Sequence, residues 1–265
     1  MSDMNSLHVN HQTFWRHMAR GTGGSVHETV DGLRIFTGVV AAPFNQIHCH
    51  GTDDAAAIDQ AASYFGDRRM PWRIVCAAPS PSAHRYAEQH GVSQEPLYPI
   101  MALDLTTAAP TLPCPAELTV TAAVSIEDVR EFIDCAGAAF GHDPELIEAM
   151  CRPQTLADDD FRLYLGRVDG RCVAISVGVG VREHGTIGAY FVGVRPEARG
   201  RGYGRAVTER ALADGATWGA RTAVLQATPA GYPVYLKMGF AQVGDYHLWD
   251  FAPAESSQRI DSSSR

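Results

Sequence analysis

A strand, a basic glycine-rich loop and a helix follow one another between residues 186 and 218, and this order constrains the fold more than any other feature. Thr186–Val194 is rich in β-branched and aromatic residues, which favours a strand that Pro196 ends. The loop Arg199–Arg205 reads RGRGYGR, and an amphipathic helix is predicted over 202–218. Such a unit is typical of α/β proteins. Its glycines permit close approach of a ligand, and the first N–H groups of its helix can bind an anion.

The rest of the C-terminal half is predicted to be a mixed α/β domain. Asp169-Gly170 is a strong signal for a two-residue hairpin, and Ser125 followed by Asp128 predicts a capping box at the start of a helix. The predicted strands are 118–122, 161–168, 172–181, 186–194, 223–227 and 241–251, and the predicted helices are 125–139, a short one from Asp143-Pro144, 202–218 and 231–238.

A proline-rich and almost uncharged stretch, TTAAPTLPCPA at 106–116, predicts an extended linker between two halves. Ahead of it, strands are predicted at 33–40, 44–48, 72–77 and 98–105, with helices over 56–65, capped by Asp53 or Asp54, and 82–90. We therefore predict an N-terminal extension at 1–20, a first domain at 21–105, the linker, a second domain at 117–252 and a disordered tail at 253–265.

An internal repeat relates the two halves. Trp72–Pro79, a helix and Gly91-Val92 resemble Thr222–Pro229, a helix and Gly239-Phe240, at an offset near 148. The match favours a duplicated fold, although two unrelated α/β halves could also show it by chance.

Charge, hydropathy and cysteine spacing exclude several classes of function. The net charge of -8 disfavours binding to nucleic acid or to an anionic membrane, because their phosphates would be repelled. No apolar run approaches the roughly 20 residues that span a bilayer, so we expect a cytoplasmic protein. The six cysteines form no CxxC pair and no zinc-type cluster with histidine, which predicts buried thiols and no metal.

Three kinds of phosphate-binding loop could account for Arg199–Arg205. A P-loop requires Gly-Lys-Ser/Thr, but Gly204 is followed by Arg205 and Ala206. A dinucleotide GxGxxG pattern would fit Gly200 and Gly202 but meets arginine at its last position. What remains is Arg199-x-x-Gly202-x-Gly204.

This pattern resembles the Q/R-x-x-G-x-G/A signature of GNAT acyltransferases, and the resemblance extends over about residues 117–251. It implies an α/β (α+β) mixed-sheet fold, with acetyl-CoA or another acyl-CoA as cosubstrate. It also implies that the backbone of Val192, Gly193 and Val194 pairs with the pantetheine arm. The phosphates would then be held by the loop itself, that is by Arg199, Gly200, Arg201, Gly202, Tyr203, Gly204 and Arg205.

A second motif, Tyr235-x-x-x-Gly239-Phe240, is similar to a GNAT segment on the helix after the fifth strand. In that family the tyrosine often protonates the departing thiolate of coenzyme A, a role that a nearby phenol can perform. The resemblance assigns this catalytic role to Tyr235. It also places Thr228, at the end of the preceding strand, against the cofactor arm or the acceptor, while a simple helix cap is the alternative.

The fourth strand lacks the glutamate that many GNAT proteins use as a general base, since 186–194 contains no carboxylate. Possible substitutes are His247, Asp245, His142, Glu183 and His184, each of which could equally be a solvated surface residue. The resemblance further places Phe140, His142 and Asp158–Asp160 near the acceptor entrance.

The N-terminal half lacks both motifs. It has His50-Gly-Thr-Asp-Asp54 at the place of the loop, where two carboxylates would repel a pyrophosphate, and Ala87 opposite Tyr235. We therefore predict two GNAT-like domains in tandem, of which only the C-terminal one is complete.

The predicted function is acetyl transfer from acetyl-CoA to a primary amine of a small molecule, by direct attack in a ternary complex, with a monomer or homodimer as the active form. Two alternatives remain open. One is a non-catalytic acyl-CoA sensor or regulatory protein. The other is a GNAT-fold enzyme with different thioester chemistry, such as decarboxylation or acyl transfer to a hydroxyl or carrier protein.

Overall fold

The protein is described by a computed structural model that covers residues 3–51, 54–107, 114–141, 147, 151 and 153–253. Its contacts divide the chain into two compact units, residues 1–25 with 97–246 and residues 26–96 with 247–265. The helices are α1 Met4–Thr22, α2 Ala55–Asp67, α3 Pro81–Gln89, α4 Ile126–Phe140, α5 Tyr203–Thr217 and α6 Tyr232–Lys237. The strands are β1 Ser25–Glu28, β2 Gly32–Phe36, β3 Asn45–Cys49, β4 Trp72–Cys76, β5 Tyr98–Asp104, β6 Thr119–Ala122, β7 Phe161–Val168, β8 Arg171–Val181, β9 Thr186–Val194, β10 Thr222–Gln226 and β11 Ala241–Phe251.

The first unit is built on a mixed sheet in the order β11-β5-β10-β9-β8-β7-β6. The β9–β10 pair is parallel, and the other neighbours are antiparallel. The β7–β8 turn has Asp169 at φ 49° and Gly170 at φ 79°, as a type I′ hairpin requires, and the Ser125–Asp128 capping box is present. Both local predictions are confirmed.

Helices cover both faces of this sheet. On one face, Gly215 of α5 lies against Ile187, because a Cβ at Gly215 would come within 2.7 Å of the Ile187 side chain. On the other face, Asn10 of α1 lies against the next residue of β9, Gly188. Adjacent strand residues point to opposite faces, so α5 and α1 enclose β9 between them. The core on the α5 face includes Leu212, Leu225 and Phe240.

Helix α1 is the longest element that the sequence did not predict. Asp3 caps it by accepting a hydrogen bond from the Ser6 backbone N–H at 2.7 Å, and Gly23 ends it in the left-handed conformation at φ 73°. Its buried face is largely polar, which hides the apolar spacing of a helix. Leu7, Phe14 and Met18 supply the apolar part.

The second unit contains strands β2, β3 and β4 and the last residues of β11. Strand β3 pairs antiparallel with β2 and parallel with β4, and residues 247–251 of β11 pair antiparallel with β4. Helices α2 and α3 pack over a core that includes Ile58, Phe65 and Trp72. Within this unit, a strand, a short loop and a helix follow one another at β3 and α2.

The grouping by contacts differs from the predicted domain boundaries, since α1 and β5 both belong to the first unit. Strand β5 was predicted in the N-terminal half, but it pairs with β10 over Ile100–Asp104 and with β11 over Tyr98–Ala102.

The short helix predicted from Asp143-Pro144 and nearly all of the predicted tail lie outside the described residues. Five of the six cysteine side chains are buried, Cys114 being exposed. No helix in the described part of the chain has both the length and the apolar character that crossing a membrane requires.

The repeat predicted from the sequence has a counterpart in the ends of two helices. In the first unit, the Phe240 N–H donates to the Tyr235 carbonyl at 3.0 Å, and Gly239 has φ 91°. In the second unit, the Val92 N–H donates to the Ala87 carbonyl at 2.9 Å, and Gly91 has φ 66°. Both helices thus end in the same motif, a left-handed glycine followed by a hydrogen bond back over six residues.

Candidate functional site

Strands β9 and β10 separate partway along their length. They pair at Thr186↔Thr222, Ile187↔Ala223 and Gly188↔Val224, and no further pair joins them in the described residues. Phe191 then has φ 51°, and the register between β8 and β9 shifts at this point. Val194 and Gly193 stay paired with β8. Their edge toward β10 therefore borders the gap between the strands, which we call the splay.

The loop after β9 leads into α5 through two glycines in the left-handed region. Gly200 has φ 79° with open space around the position of a Cβ, and Gly202 has φ 81° and caps α5 without any side-chain hydrogen bond. The first N–H groups of a helix have no partner within the helix, and here no side chain of the cap takes one of them. The loop residues therefore fit an anionic phosphate ligand at the start of α5.

The three arginines of the loop make different contacts. Arg199 donates to the carbonyls of Val194 at 3.2 Å and Ala139 at 2.9 Å, so it ties the loop to the end of α4. Arg205 forms an ion pair with Glu209 at 2.8 Å. Arg201 is exposed and lies near Glu117, whose carboxylate pKa it helps to lower.

Tyr203 and Gly204 shape the first turn of α5. The Tyr203 side chain is buried, and its hydroxyl donates to Glu117 Oε1 at 2.8 Å, so only its backbone faces the loop. A Cβ at Gly204 would lie 3.3 Å from Val194 Cγ2, which makes this a close approach between helix and strand. Glycine suits this position because it lacks that atom.

Tyr235 lies in α6 with 8% of its surface exposed. Burial raises the pKa of its phenol to about 12, an effect that the hydroxyl of Thr208 partly offsets. Thr208 in turn donates to the Gly204 carbonyl at 2.9 Å, so the phenol is two contacts away from the loop. A group with this pKa keeps its proton at neutral pH, as a general acid must.

Thr228 connects β10 to α6. Its Oγ1 accepts a hydrogen bond from the Gly231 N–H at 3.2 Å, which closes a turn just before α6, whose N-cap Gly231 has no side-chain cap of its own. Gly231 itself lies against the catalytic candidate, since a Cβ there would approach Tyr235 Cε2 to 2.9 Å. The segment from Thr228 to Gly231 thus sets the position of the Tyr235 ring.

The structure describes four of the five residues suggested as substitutes for the missing base. Glu183 and His184 precede β9, at the end of this strand opposite to the loop. Asp245 accepts from the Gln242 amide at 2.9 Å, and His247 belongs to the second unit. His142 lies outside the described residues.

Two of the three features predicted at the acceptor entrance make contacts within the first unit. Phe140 packs on Phe191, with 4.5 Å between ring centroids. In the acidic run 158–160, Asp158 lies 3.4 Å from His17 and Asp160 forms an ion pair with Arg182 at 2.6 Å. Asp160 is therefore paired with an arginine of the protein, whereas Asp158 faces His17, an imidazole whose pKa is lowered by burial.

A polar cluster lies on the α1 face of the splay and was not predicted from the sequence. Asn10 is completely buried and donates to the Val179 carbonyl at 3.1 Å and to Thr186 Oγ1 at 3.0 Å, while its Oδ1 accepts from the Tyr190 hydroxyl at 2.7 Å. Gln226, the last residue of β10, has a buried Nε2 without a hydrogen-bond acceptor among the described residues. The only sequence signal was a polar residue on each of the strands β9 and β10.

Comparison with known proteins agrees with this geometry. Residues 126–240 match the acetyltransferase (GNAT) family. A protein named mycothiol acetyltransferase from Streptomyces avermitilis is 31% identical over 153 residues, which are 54% of this chain and 48% of that protein. The chain thus spans about half the length of this curated relative.

Solved structures match over most of the chain. A GCN5-related N-acetyltransferase from Kribbella flavida superposes with a TM-score of 0.70 at 16% identity, covering 94% of this chain and 96% of that one. A tandem GNAT protein from the clavulanic acid biosynthesis pathway gives a TM-score of 0.58 at 14% identity, covering 85% and 80%. The chain therefore has the tandem GNAT fold predicted from its sequence, and its residues 126–240 match the model of the GNAT acetyltransferase family.

Proposed function

We propose that this chain transfers an acetyl group from acetyl-CoA to a primary amine of a small molecule. The observation that carries the proposal is the loop Arg199–Arg205. Two left-handed glycines and a helix start without a side-chain cap follow directly on the free edge of β9. This combination suits an extended ligand that ends in phosphates.

Strand β9 and the loop after it would bind different parts of acetyl-CoA. The backbone of Val192, Gly193 and Val194 would hold the pantetheine arm at the splay. The N–H groups at the start of α5, with Arg201, would hold the pyrophosphate. Arg199 and Arg205 contribute positive charge, but their hydrogen bonds to carbonyls and to Glu209 indicate that they also fix the shape of the loop.

The thioester of acetyl-CoA supplies the activated acyl group. The chain supplies a proton, because the Tyr235 phenol is protonated at neutral pH and can donate to the sulfur that leaves. Backbone N–H groups of β9 at the splay would polarise the carbonyl. The acetyl-transfer activity in the name of the curated relative supports a small-molecule acceptor.

The test is free-thiol release from acetyl-CoA with a panel of primary amines, together with mass spectrometry of the acetylated product. We expect thiol release that depends on both substrates. Acetyl-CoA binding by calorimetry without turnover of any amine would favour the sensor alternative. Thiol release without an amine would favour different thioester chemistry.

A further inference from the structure

The proton of the Tyr190 hydroxyl has a fixed direction. One end of the Asn10 amide faces the Val179 carbonyl, which can only accept, so this end must be the NH2 group. The other end is therefore the carbonyl oxygen, which can only accept the hydroxyl proton of Tyr190. Since a phenol has one proton, the Tyr190 oxygen keeps only lone pairs for any other partner.

Gln226 provides a hydrogen-bond donor beside the accepting oxygen of Tyr190. Continuing the register Gly188↔Val224 by two residues would make Tyr190 and Gln226 neighbours on the α1 face, at the first position where the strands have parted. The Gln226 amide lies near enough to the Tyr190 oxygen to lower the pKa of this phenol, against the larger rise that burial causes. Its Nε2 nevertheless has no acceptor with hydrogen-bond geometry in the described chain.

A buried donor without an acceptor costs stability, and such groups in proteins commonly serve a ligand. Here the donor lies beside an acceptor whose ring packs over Gly188, the last residue of β9 that pairs with β10, so the two groups border the gap where the proposed function places the transfer. Nε2 itself is buried and Tyr190 is 6% exposed, but Gln226 as a whole is partly exposed, so a ligand would approach along the exposed part of the Gln226 side chain. A donor and an acceptor side by side match a ligand that carries an N–H and an oxygen on neighbouring carbons.

We propose that Tyr190 and Gln226 bind the acceptor substrate, the Tyr190 oxygen accepting from its amine N–H and Gln226 Nε2 donating to an oxygen on the adjacent carbon. The inference rests on the proposed function and narrows it to 2-amino alcohols and α-amino amides. Asn10 is a positioning residue, because it directs the Tyr190 proton away from the substrate. Gly188 makes this possible, since any side chain there would collide with Asn10 and with the Tyr190 ring.

The experiment compares 2-aminoethanol with propylamine, which has a methyl group in place of the hydroxyl, as acceptors for acetyl-CoA. Because the two amines differ in basicity, the deciding quantity is the change in their kcat/KM ratio between wild type and Gln226→Met. We expect the preference for 2-aminoethanol over propylamine to fall about tenfold in the variant. An unchanged ratio would overturn the inference while leaving the proposed function intact.

Melting temperature gives a readout that needs no turnover. Gln226→Met keeps the length of the side chain and removes a donor that has no acceptor, so the melting temperature should stay equal or rise. A drop of several degrees would mean that the amide serves the fold, which would overturn the inference. Failure of the wild type to acetylate any amine of the panel would overturn the inference and the proposed function together.

A double-mutant cycle tests the role of Asn10. Tyr190→Phe keeps the ring, which stacks on Phe14 with 4.7 Å between centroids, and should lower kcat/KM about tenfold with both amines while acetyl-CoA binding is unchanged. Asn10→Ala should lower kcat/KM in wild type but add little in the Tyr190→Phe background. Fully additive losses would show that Asn10 does not act through Tyr190.

Discussion

The loop after β9 and the loop after β3 each follow a strand and precede a helix, yet they differ in the charge that they can accept. Neither helix start has a side-chain cap hydrogen bond, but the first loop has two left-handed glycines and an exposed arginine. In the second, the Asp54 carboxylate is buried, accepts from the Gly51 N–H at 2.9 Å and faces Ser80 Oγ at 3.4 Å. An anion of the protein itself thus lies at the second loop.

The two helices that end in the same glycine motif differ in a similar way. Tyr235 and Ala87 each provide the carbonyl to which the chain returns its N–H after the helix. One residue carries a phenol and the other only a methyl group, and both are buried. The same backbone motif thus ends a helix with a catalytic candidate and a helix without one. Function therefore has to be inferred from the side chains and their charges.

The largest effect is expected from Gly202→Asp. This substitution places a carboxylate in the loop after β9, as Asp54 does in the loop after β3. A carboxylate at the start of α5 would repel the pyrophosphate, and acetyl-CoA affinity should fall at least about 100-fold by calorimetry. Gly202→Asn is the matched control, because asparagine has the same shape and a similar tolerance of positive φ but no charge. Equal losses in the two variants would show that backbone strain is the cause.

Next in size is Tyr235→Phe, which makes the two helix ends chemically alike. We expect kcat to fall about 100-fold, because the leaving thiolate loses its proton donor, while acetyl-CoA affinity stays the same. Since its pKa is about 12, Tyr235 should cause no loss of activity on the alkaline side below about pH 11. Tyr86→Phe, in helix α3 of the second unit, is the control and should leave kcat unchanged.

A smaller effect is expected from Arg201→Gln. This arginine is exposed and lies near Glu117, but no direct ion pair joins it to a carboxylate among the described residues, so we expect its charge to act on a bound phosphate as well. We expect a roughly 3–10-fold weaker binding of acetyl-CoA at low salt and a smaller difference at high salt. Arg171→Gln removes an exposed arginine that pairs with Glu197 and should not change the affinity. The assignment would be wrong if both variants bound like wild type.

The smallest effect concerns the shared backbone motif. Gly239→Ala and Gly91→Ala should each lower the free energy of unfolding by about 1–2 kcal/mol, because both glycines have positive φ. A Cβ would meet nothing near Gly91 and only Leu103 at an ordinary 3.4 Å near Gly239, so the costs should be similar. Denaturant melts measure both values. A large difference between the two losses in the free energy of unfolding would show that the two helix ends are not structurally equivalent.

Local chemistry explains how much of this fold was predictable. The Ser125 capping box, the Asp169-Gly170 hairpin and the strand Ala241–Phe251 were correct because each depends on residues adjacent in the chain. No partner strand was predicted for β5, since a strand pattern shows which face is apolar but not which distant strand lies beside it. Helix α1 was missed because Asn10 and its polar neighbours are buried by hydrogen bonding, which an apolar period does not reveal.

The candidate site, too, was predictable only where its residues are close together in the sequence. The loop and Tyr235 were proposed from sequence because glycine and arginine spacing reports a local ligand contact. The polar residues at the splay were not, because Tyr190 and Gln226 belong to strands that become neighbours only through a parallel pairing, and Asn10 bonds to Tyr190 from about 180 residues away. Such a site depends on long-range contacts that no short motif records.

Strand β11 has a consequence for synthesis on the ribosome. Its first residues pair with β5 in one unit and its last residues pair with β4 in the other, and every other described strand is made before it. A nascent chain therefore cannot complete the sheet of either unit until β11 has emerged. Cutting the gene at the linker would likewise separate α1 and β5 from the unit to which they belong, so the two halves of the sequence are not two independent folding units.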